Sequence, residues 1–237
     1  MLSPNGIKAI LFDLDGTLRH HLPSGSDVFN RYAASLGIPF DAEDATRASR
    51  WEHYYFANSP ELRADNQDYA EGDPFWANYG RRRLVALGCS ARQAEELSPK
   101  FHAHMRDNHK PTVHVPEEAR SLILMLKEAG YILGVVSNRE ERFDRQIEEM
   151  RFNDLFHFTL AGGEVKSFKP DPGIFEEALR RAGTSAPETM YVGDNYFADV
   201  VGSRRAGLRP VLYDPKGLFP DAGCAVIQSF DQLPALL

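Results

Sequence analysis

Four short apolar runs of strand length recur along the chain: IKAILFD at residues 7–13, YILGVVSN at 131–138, TMYVGDN at 189–195 and RPVLYD at 209–214. They are apolar almost throughout, without strict alternation. That is the pattern of strands buried on both faces of a parallel sheet. Helical patterns separate them. PEEARSLILMLKEAG, at 116–130, carries proline near its start, acids in its first turn and glycine at its end, the usual helix punctuation. DPGIFEEALRRAG at 171–183 and ADVVGSRRAG at 198–207 follow the same grammar. Strand alternating with helix predicts a doubly wound, Rossmann-like α/β core around a parallel sheet.

One stretch breaks the alternation. Residues 22–111 contain no convincing strand, and FNRYAASLG, FWANYGRRRLVALG and SARQAEELSPKFHAHMRDN read as helices with Gly37, Gly88 and Ser90 as end signals. The expectation is an all-helical domain, 22–111, inserted into a discontinuous core made of 1–21 and 112–237. Its edges are the loop-like LPSGS and KPTVHVP. Trp51, Tyr54, Tyr55, Phe75, Trp76 and Tyr79 are expected to form the insertion's own core. Arg81, Arg82 and Arg83 read as a solvated helix face, the alternative being recognition of a substrate carboxylate or second phosphate.

A formal net charge of -7 argues against a nucleic acid or an anionic membrane as partner. It leaves room for a small anionic substrate, because local charge or a bound metal overrides the global sign. The two cysteines, Cys89 and Cys224, stand far apart with no C-x-x-C spacing, so neither a disulfide framework nor a zinc site is expected. Cys224 reads as a small buried apolar residue. The N-terminal MLSPNGIKAI lacks a signal-peptide pattern, and no apolar run approaches the ~20 residues of a membrane span. The cytoplasm is the expected location. Monomer and homodimer both remain open.

The chemistry gathers at the ends of the apolar runs. The first ends in Asp13 and Asp15, followed by Gly16 and Thr17. At about 3.3 Å per residue the two acids are expected on one side of the chain, outside the carboxyl end of a strand, where α/β sheets bind ligands. A polar turn closing the strand is the bland alternative. A calcium loop is excluded, since the sixth and twelfth positions from Asp13 are Leu18 and Ser24 rather than Gly and Glu. The third run ends at Asp194, with Asp199 shortly after. If these strands are neighbours, their carboxylates converge and require a counter-cation. All-oxygen ligation with room for water suits Mg²⁺. Ser137 and Asn138 end the second run, and Lys169 precedes a Pro-Asp-Pro helix start. A hydroxyl, backbone amides and an ammonium there suit a phosphate, although each residue alone has an ordinary structural use.

In this order, DLDGT, VVSN, KPDPGIF and VGDNYFAD resemble the four motifs of the haloacid dehalogenase-like superfamily. The resemblance covers about 7–20 and 112–215, and the helical insertion resembles the cap of that superfamily's capped members. It implies that Asp13 attacks phosphorus and that Asp15 serves as general acid and then base. It implies Mg²⁺ held by Asp13, the Asp15 carbonyl and Asp194, and phosphate held by Thr17, Ser137, Asn138 and Lys169. Asp199 would orient Lys169 or a metal-bound water. A second aspartate favours phosphatase over dehalogenase, because a leaving alkoxide needs a proton donor. The only lysine of the expected cap before residue 109 is Lys100, a poor match to a phosphonatase. The expected activity is hydrolysis of a small phosphorylated metabolite. A sugar-phosphate mutase and a non-catalytic binding protein are the alternatives. A dinucleotide enzyme is weaker, since no G-x-G-x-x-G follows the first run. His20 and His21 read equally as substrate contacts or solvated loop residues, and His102, His104, His109 and His114 as structural or surface residues.

Overall fold

The computed structural model describes residues 5–69 and 72–237. The first four residues of the expected core, and Ala70 and Glu71 of the expected insertion, lie outside that description. The chain divides into two compact units, Met1–His20 with His114–Leu237, and His21–Val113.

The first unit is built on a parallel sheet. Its strands are β1 (Ala9–Phe12), β4 (Ile132–Ser137), β5 (Phe158–Ala161), β6 (Thr189–Gly193), β7 (Arg209–Tyr213) and β8 (Ala225–Ile227), in spatial order β5-β4-β1-β6-β7-β8. β1 therefore lies between β4 and β6, with Phe12 opposite Val135 on one side and Val192 on the other. The expected Rossmann-like α/β core is present. β5 and β8 were not among the expected strands. FTLA and AVI are short and only partly buried, so neither carries a long apolar signal.

All four β1 side chains are buried and divide between two layers. Ile10 and Phe12 join Leu122, Ile123 and Leu126 of α6 (Glu117–Glu128). After α7 (Asp144–Glu149) and α8 (Gly162–Val165) comes α9 (Pro172–Ala182), whose Ile174, Phe175 and Ala178 join Leu11 on the opposite face. The period-2 strand thus feeds both helical layers. Pro172 opens α9, and Gly183 closes it in the left-handed conformation.

In the second unit the helices are α1 (Gly25–Ser35), α2 (Ala42–Phe56), α3 (Pro60–Asp68), α4 (Asp73–Ala86) and α5 (Ala91–Asn108). Ser24 caps α1, and reciprocal capping boxes open α2 (Asp41 with Asp44) and α5 (Ser90 with Gln93). Phe29, Ala33, Ala48, Leu84, Leu87 and Phe101 form its core. Tyr55 and Phe75 are buried as expected, but Trp76 is 47% exposed. Its position on α4 faces outward, and composition could not reveal that. Arg83 corrects the expectation of a solvated face: it is 1% exposed. Arg82 pairs with Asp65, and Arg81 donates to Asn78. Short strands β2 (His20–Leu22) and β3 (Thr112–His114) form a separate two-stranded sheet.

Candidate active site

Strand order brings the chemistry of distant segments to one edge. β1 ends at Phe12, so Asp13 is the first residue beyond it, and its N–H donates to Val192 O at 2.9 Å. β4 delivers Ser137 beside it, and β6 delivers Asp194 and the following loop from the other side. Lys169 arrives from the loop before α9.

Lys169 is the centre of this arrangement. It is 2% exposed. Its Nζ donates to Asp13 Oδ1 at 2.5 Å, Asp199 Oδ1 at 2.7 Å and the Tyr191 hydroxyl at 2.9 Å. The three ammonium protons are thereby accounted for. Tyr191 in turn donates to Val136 O at 3.0 Å. The lysine backbone is clasped as well: Asn138 Oδ1 accepts from Lys169 N at 2.6 Å, and Asn138 Nδ2 donates to Lys169 O at 2.8 Å. The Asn138 side chain is therefore engaged in placing the lysine, a use the motif did not reveal.

Asp194 is held through Thr17. The Thr17 hydroxyl donates to Asp194 Oδ1, and the Asp194 N–H donates back to the same hydroxyl, both at 3.0 Å. Thr17 is fully buried, so its hydroxyl orients a carboxylate where the motif suggested a phosphate contact. Asp199 accepts from Lys169 on one oxygen and from Asn195 N at 2.9 Å on the other. Asn195 Oδ1 also caps the wide turn Tyr196–Val201 by accepting from the Phe197 and Ala198 amides.

Glycines permit the crowding. Gly16 has φ +99°, and a Cβ there would collide with the Asp194 carboxylate. A Cβ on Gly193 would collide with Asp199. Both carboxylates therefore lie against bare backbone.

Carboxylate oxygens of Asp13, Asp194 and Asp199 all lie within 4.8 Å of one another. Against two buried acids, Asp13 and Asp199, and the half-buried Asp194 stands one buried ammonium. Burial pushes Asp13 up to about 7, with Lys169 pulling it down and Asp199 pushing it up again. Burial, then Asp13 and Asp199, raise Asp194 well above the carboxylate range. Burial disfavours charge on Lys169, yet Asp13 and Asp199 overcome that and hold it well above the usual ammonium value. The excess of hard oxygen donors over positive charge fits a hard divalent cation.

Asp15 is not part of that cluster. The strand geometry expected to align it with Asp13 stops at Phe12, where the chain turns. Asp15 keeps 40% of its side chain exposed. Arg139 grips it bidentately, Nε to Oδ2 at 2.8 Å and Nη2 to Oδ1 at 3.0 Å, while Arg19 Nη1 adds a bond at 3.1 Å. Arg19 reads from the sequence as a residue leading toward the insertion and helping select the phosphate, and here it holds Asp15; Arg139 did not stand out. Arg139 directly follows the Ser137-Asn138 strand end, and that adjacency was the available signal. Tyr191 was hidden because it reads as one more apolar strand residue.

His20 is half-buried, with Nε2 3.0 Å from Thr17 O and its ring 5.8 Å from Tyr213. Burial first, opposed by the Thr17 contact, lowers its pKa. His21 is exposed. His104 stacks on Tyr32, with centroids 3.7 Å apart. Among the described residues, none of the histidines enters a metal-ligating group. Cys224 is only partly buried, a correction to the sequence expectation, and packs at the edge of a small cluster around Leu212. No helix among the described residues is long and apolar enough to cross a membrane.

A sequence profile described as haloacid dehalogenase-like hydrolase matches residues 76–212. The chain is 29% identical over 239 aligned positions to a phosphoserine phosphatase of Thermus thermophilus, covering 91% of each. It is 32% identical over 127 positions to haloacid dehalogenase-like hydrolase domain-containing protein 3 of Danio rerio, a match spanning 51% of each. The chain thus spans about half the length of that relative. Among solved structures, a 2-haloacid dehalogenase from Pseudomonas syringae pv. Tomato superposes with a TM-score of 0.56 at 25% identity, covering 97% of both chains.

Proposed function

The chain belongs to the haloacid dehalogenase-like hydrolases, and from that premise we propose that it hydrolyses a small phosphomonoester through an aspartyl-phosphate on Asp13. The observation that carries this reading is the unequal setting of its two aspartates. Asp13 is buried against Lys169, whereas Asp15, two positions on, is exposed and reachable. One suits a nucleophile fixed in place and the other a proton carrier in contact with solvent.

Asp13 Oδ attacks phosphorus, and the bond from phosphorus to the ester oxygen breaks. Asp15 gives a proton to the departing alkoxide. The same carboxylate then takes a proton from water as that water attacks the aspartyl-phosphate, releasing inorganic phosphate and restoring Asp13. Lys169 orients Asp13 and offsets charge on the phosphoryl oxygens. Ser137, buried at the end of β4, offers a hydroxyl to the same group. Asp13 and Asp194, with the Asp15 carbonyl, would hold Mg²⁺, which when bound offsets the mutual repulsion of carboxylate and phosphate.

A panel of phosphorylated metabolites and an aryl phosphate, assayed with and without chelator, tests the proposal. Mg²⁺-dependent phosphate release, with a phosphorylated Asp13 peptide trapped by acid quench, is the expected result. Absence of such release from every member would sink it. Halide release from 2-haloacids, or isomerisation of a sugar phosphate without net phosphate, would replace it with a different reaction.

A further inference from the structure

Tyr191 stands in the middle of β6, a strand whose five residues are all buried. Its ring fills the layer of Leu11, Ile174 and Phe175, and it meets Phe175 edge-to-face at 5.2 Å between centroids. A phenylalanine would fill that space without taking a hydroxyl out of water. A buried hydroxyl costs free energy unless it is hydrogen-bonded, and here it is used twice. The Tyr191 hydroxyl donates to Val136 O at 3.0 Å and accepts from Lys169 Nζ at 2.9 Å. Its one proton is spent on the backbone of β4, so the oxygen presents only lone pairs to the ammonium. Burial, opposed by Lys169 and reinforced by Asp199 and Asp13, holds its pKa well above the phenol range, so it keeps that proton.

The other two acceptors of Lys169 are carboxylates, Asp13 at 2.5 Å and Asp199 at 2.7 Å. They are not equivalent during turnover. In the function proposed above, Asp13 becomes an ester of phosphate and loses its charge, whereas Asp199 takes no part in that bond. The pull of Asp13 on the ammonium is then lost while that of Asp199 remains, which draws the ammonium toward Asp199. Tyr191 is neutral throughout, and its oxygen is fixed by the bond to Val136 and by the ring's packing on Phe175. Of the three contacts, it is the uncharged one that opposes the pull of Asp199.

We propose that Tyr191 is a positioning residue for Lys169. Its hydroxyl, anchored near the end of β4, tethers the ammonium beside Asp13 once that aspartate's charge is consumed, so that Lys169 still faces the phosphoryl group while the aspartyl-phosphate is hydrolysed. The timing rests on the function proposed above; the tether does not.

Two readouts on the full chain separate the two claims. A sealed ammonium held by three acceptors exchanges its protons slowly. Lys169 Nζ should therefore give a nitrogen–proton correlation signal without substrate, identified by its loss in Lys169→Arg. Tyr191→Phe keeps the ring but removes the acceptor, and should shift or broaden that signal. Leu160→Ala, which removes volume from the same layer, should lower the melting temperature and leave the signal in place. With a phosphomonoester that the chain hydrolyses, rapid acid quench follows the phosphorylated Asp13. In Tyr191→Phe its decay should slow about tenfold while its formation stays within about threefold of the parent. No such signal in the parent, a signal unaltered by Tyr191→Phe, or its equal loss in Leu160→Ala would overturn the tether. Equal slowing of formation and decay would overturn the timing. If the parent hydrolyses no phosphomonoester, the timing falls with the function, and the nitrogen–proton signal alone decides the tether.

Discussion

Lys169 Nζ stands 2.5 Å from Asp13 Oδ1, and both side chains are buried. The pair joins segments 156 residues apart. It shares its ammonium with Asp199 at 2.7 Å, so the lysine serves two carboxylates while a third, Asp194, lies beside them. The site is thus short of positive charge by construction, and its stability and its chemistry are coupled.

Asp13→Asn keeps the shape of the side chain but removes the nucleophile. Turnover should fall by about 10³-fold or more. Steady-state phosphate release and acid-quench trapping on the purified variant check this. Near-normal turnover would move the nucleophile elsewhere.

Lys169→Met leaves the buried acids without their ammonium. Removing one partner of a buried pair costs ~3–5 kcal/mol, measured by urea unfolding at pH 8 in chelator. The loss should shrink at pH 5, where the acids can take up protons. An equal loss at both pH values would contradict the electrostatic account.

Asp13 titrates at about 7 in the folded protein and at about 3.9 when unfolded. The folded state therefore holds the extra proton between those values, and stability falls as pH rises through that window. In chelator the slope should appear between about pH 4 and 7 and be reduced in Asp13→Asn. A cation that needs the ionised form should raise the melting temperature more at pH 8 than at pH 5. Equal shifts at both would exclude Asp13 from the cation site.

Thr17→Val removes the hydroxyl that both donates to and accepts from Asp194. Mg²⁺ affinity, read from the melting temperature against metal concentration, should drop about 10–100-fold. Unaltered affinity would show that Asp194 needs no such support.

Arg139→Ala frees one side of Asp15. The pair is partly exposed, so stability should change by less than ~1 kcal/mol. kcat should nevertheless change about tenfold, because Asp15 loses the fork that positions it. Unchanged kcat would reduce Arg139 to a surface ion pair.

The core was legible because its strands are buried on both faces. YILGVVSN and TMYVGDN announce themselves as apolar runs with polar ends, and in a parallel sheet those ends share one edge. Asp13, Ser137 and Asp194 could therefore be placed at one sheet edge from the sequence, whereas Lys169 was marked by the Pro-Asp-Pro helix start that follows it. FTLA of β5 and AVI of β8 were not, because three or four half-buried residues carry no period. The segments around Ala42–Phe56 and Pro60–Asp68 of the helical unit were likewise hard to see, being mostly polar.

The sequence by itself determined which residue types end each strand, in what order, and hence the family and the class of chemistry. Only the tertiary structure decided their partners. Thr17 meets Asp194 across 177 residues and Arg139 meets Asp15 across 124, contacts that strand order creates and local pattern cannot encode. Arg83 makes the same point: beside Arg81 and Arg82 it reads as one more surface charge. Helical rotation turns it inward, onto Glu52, with one edge of its guanidinium unpaired.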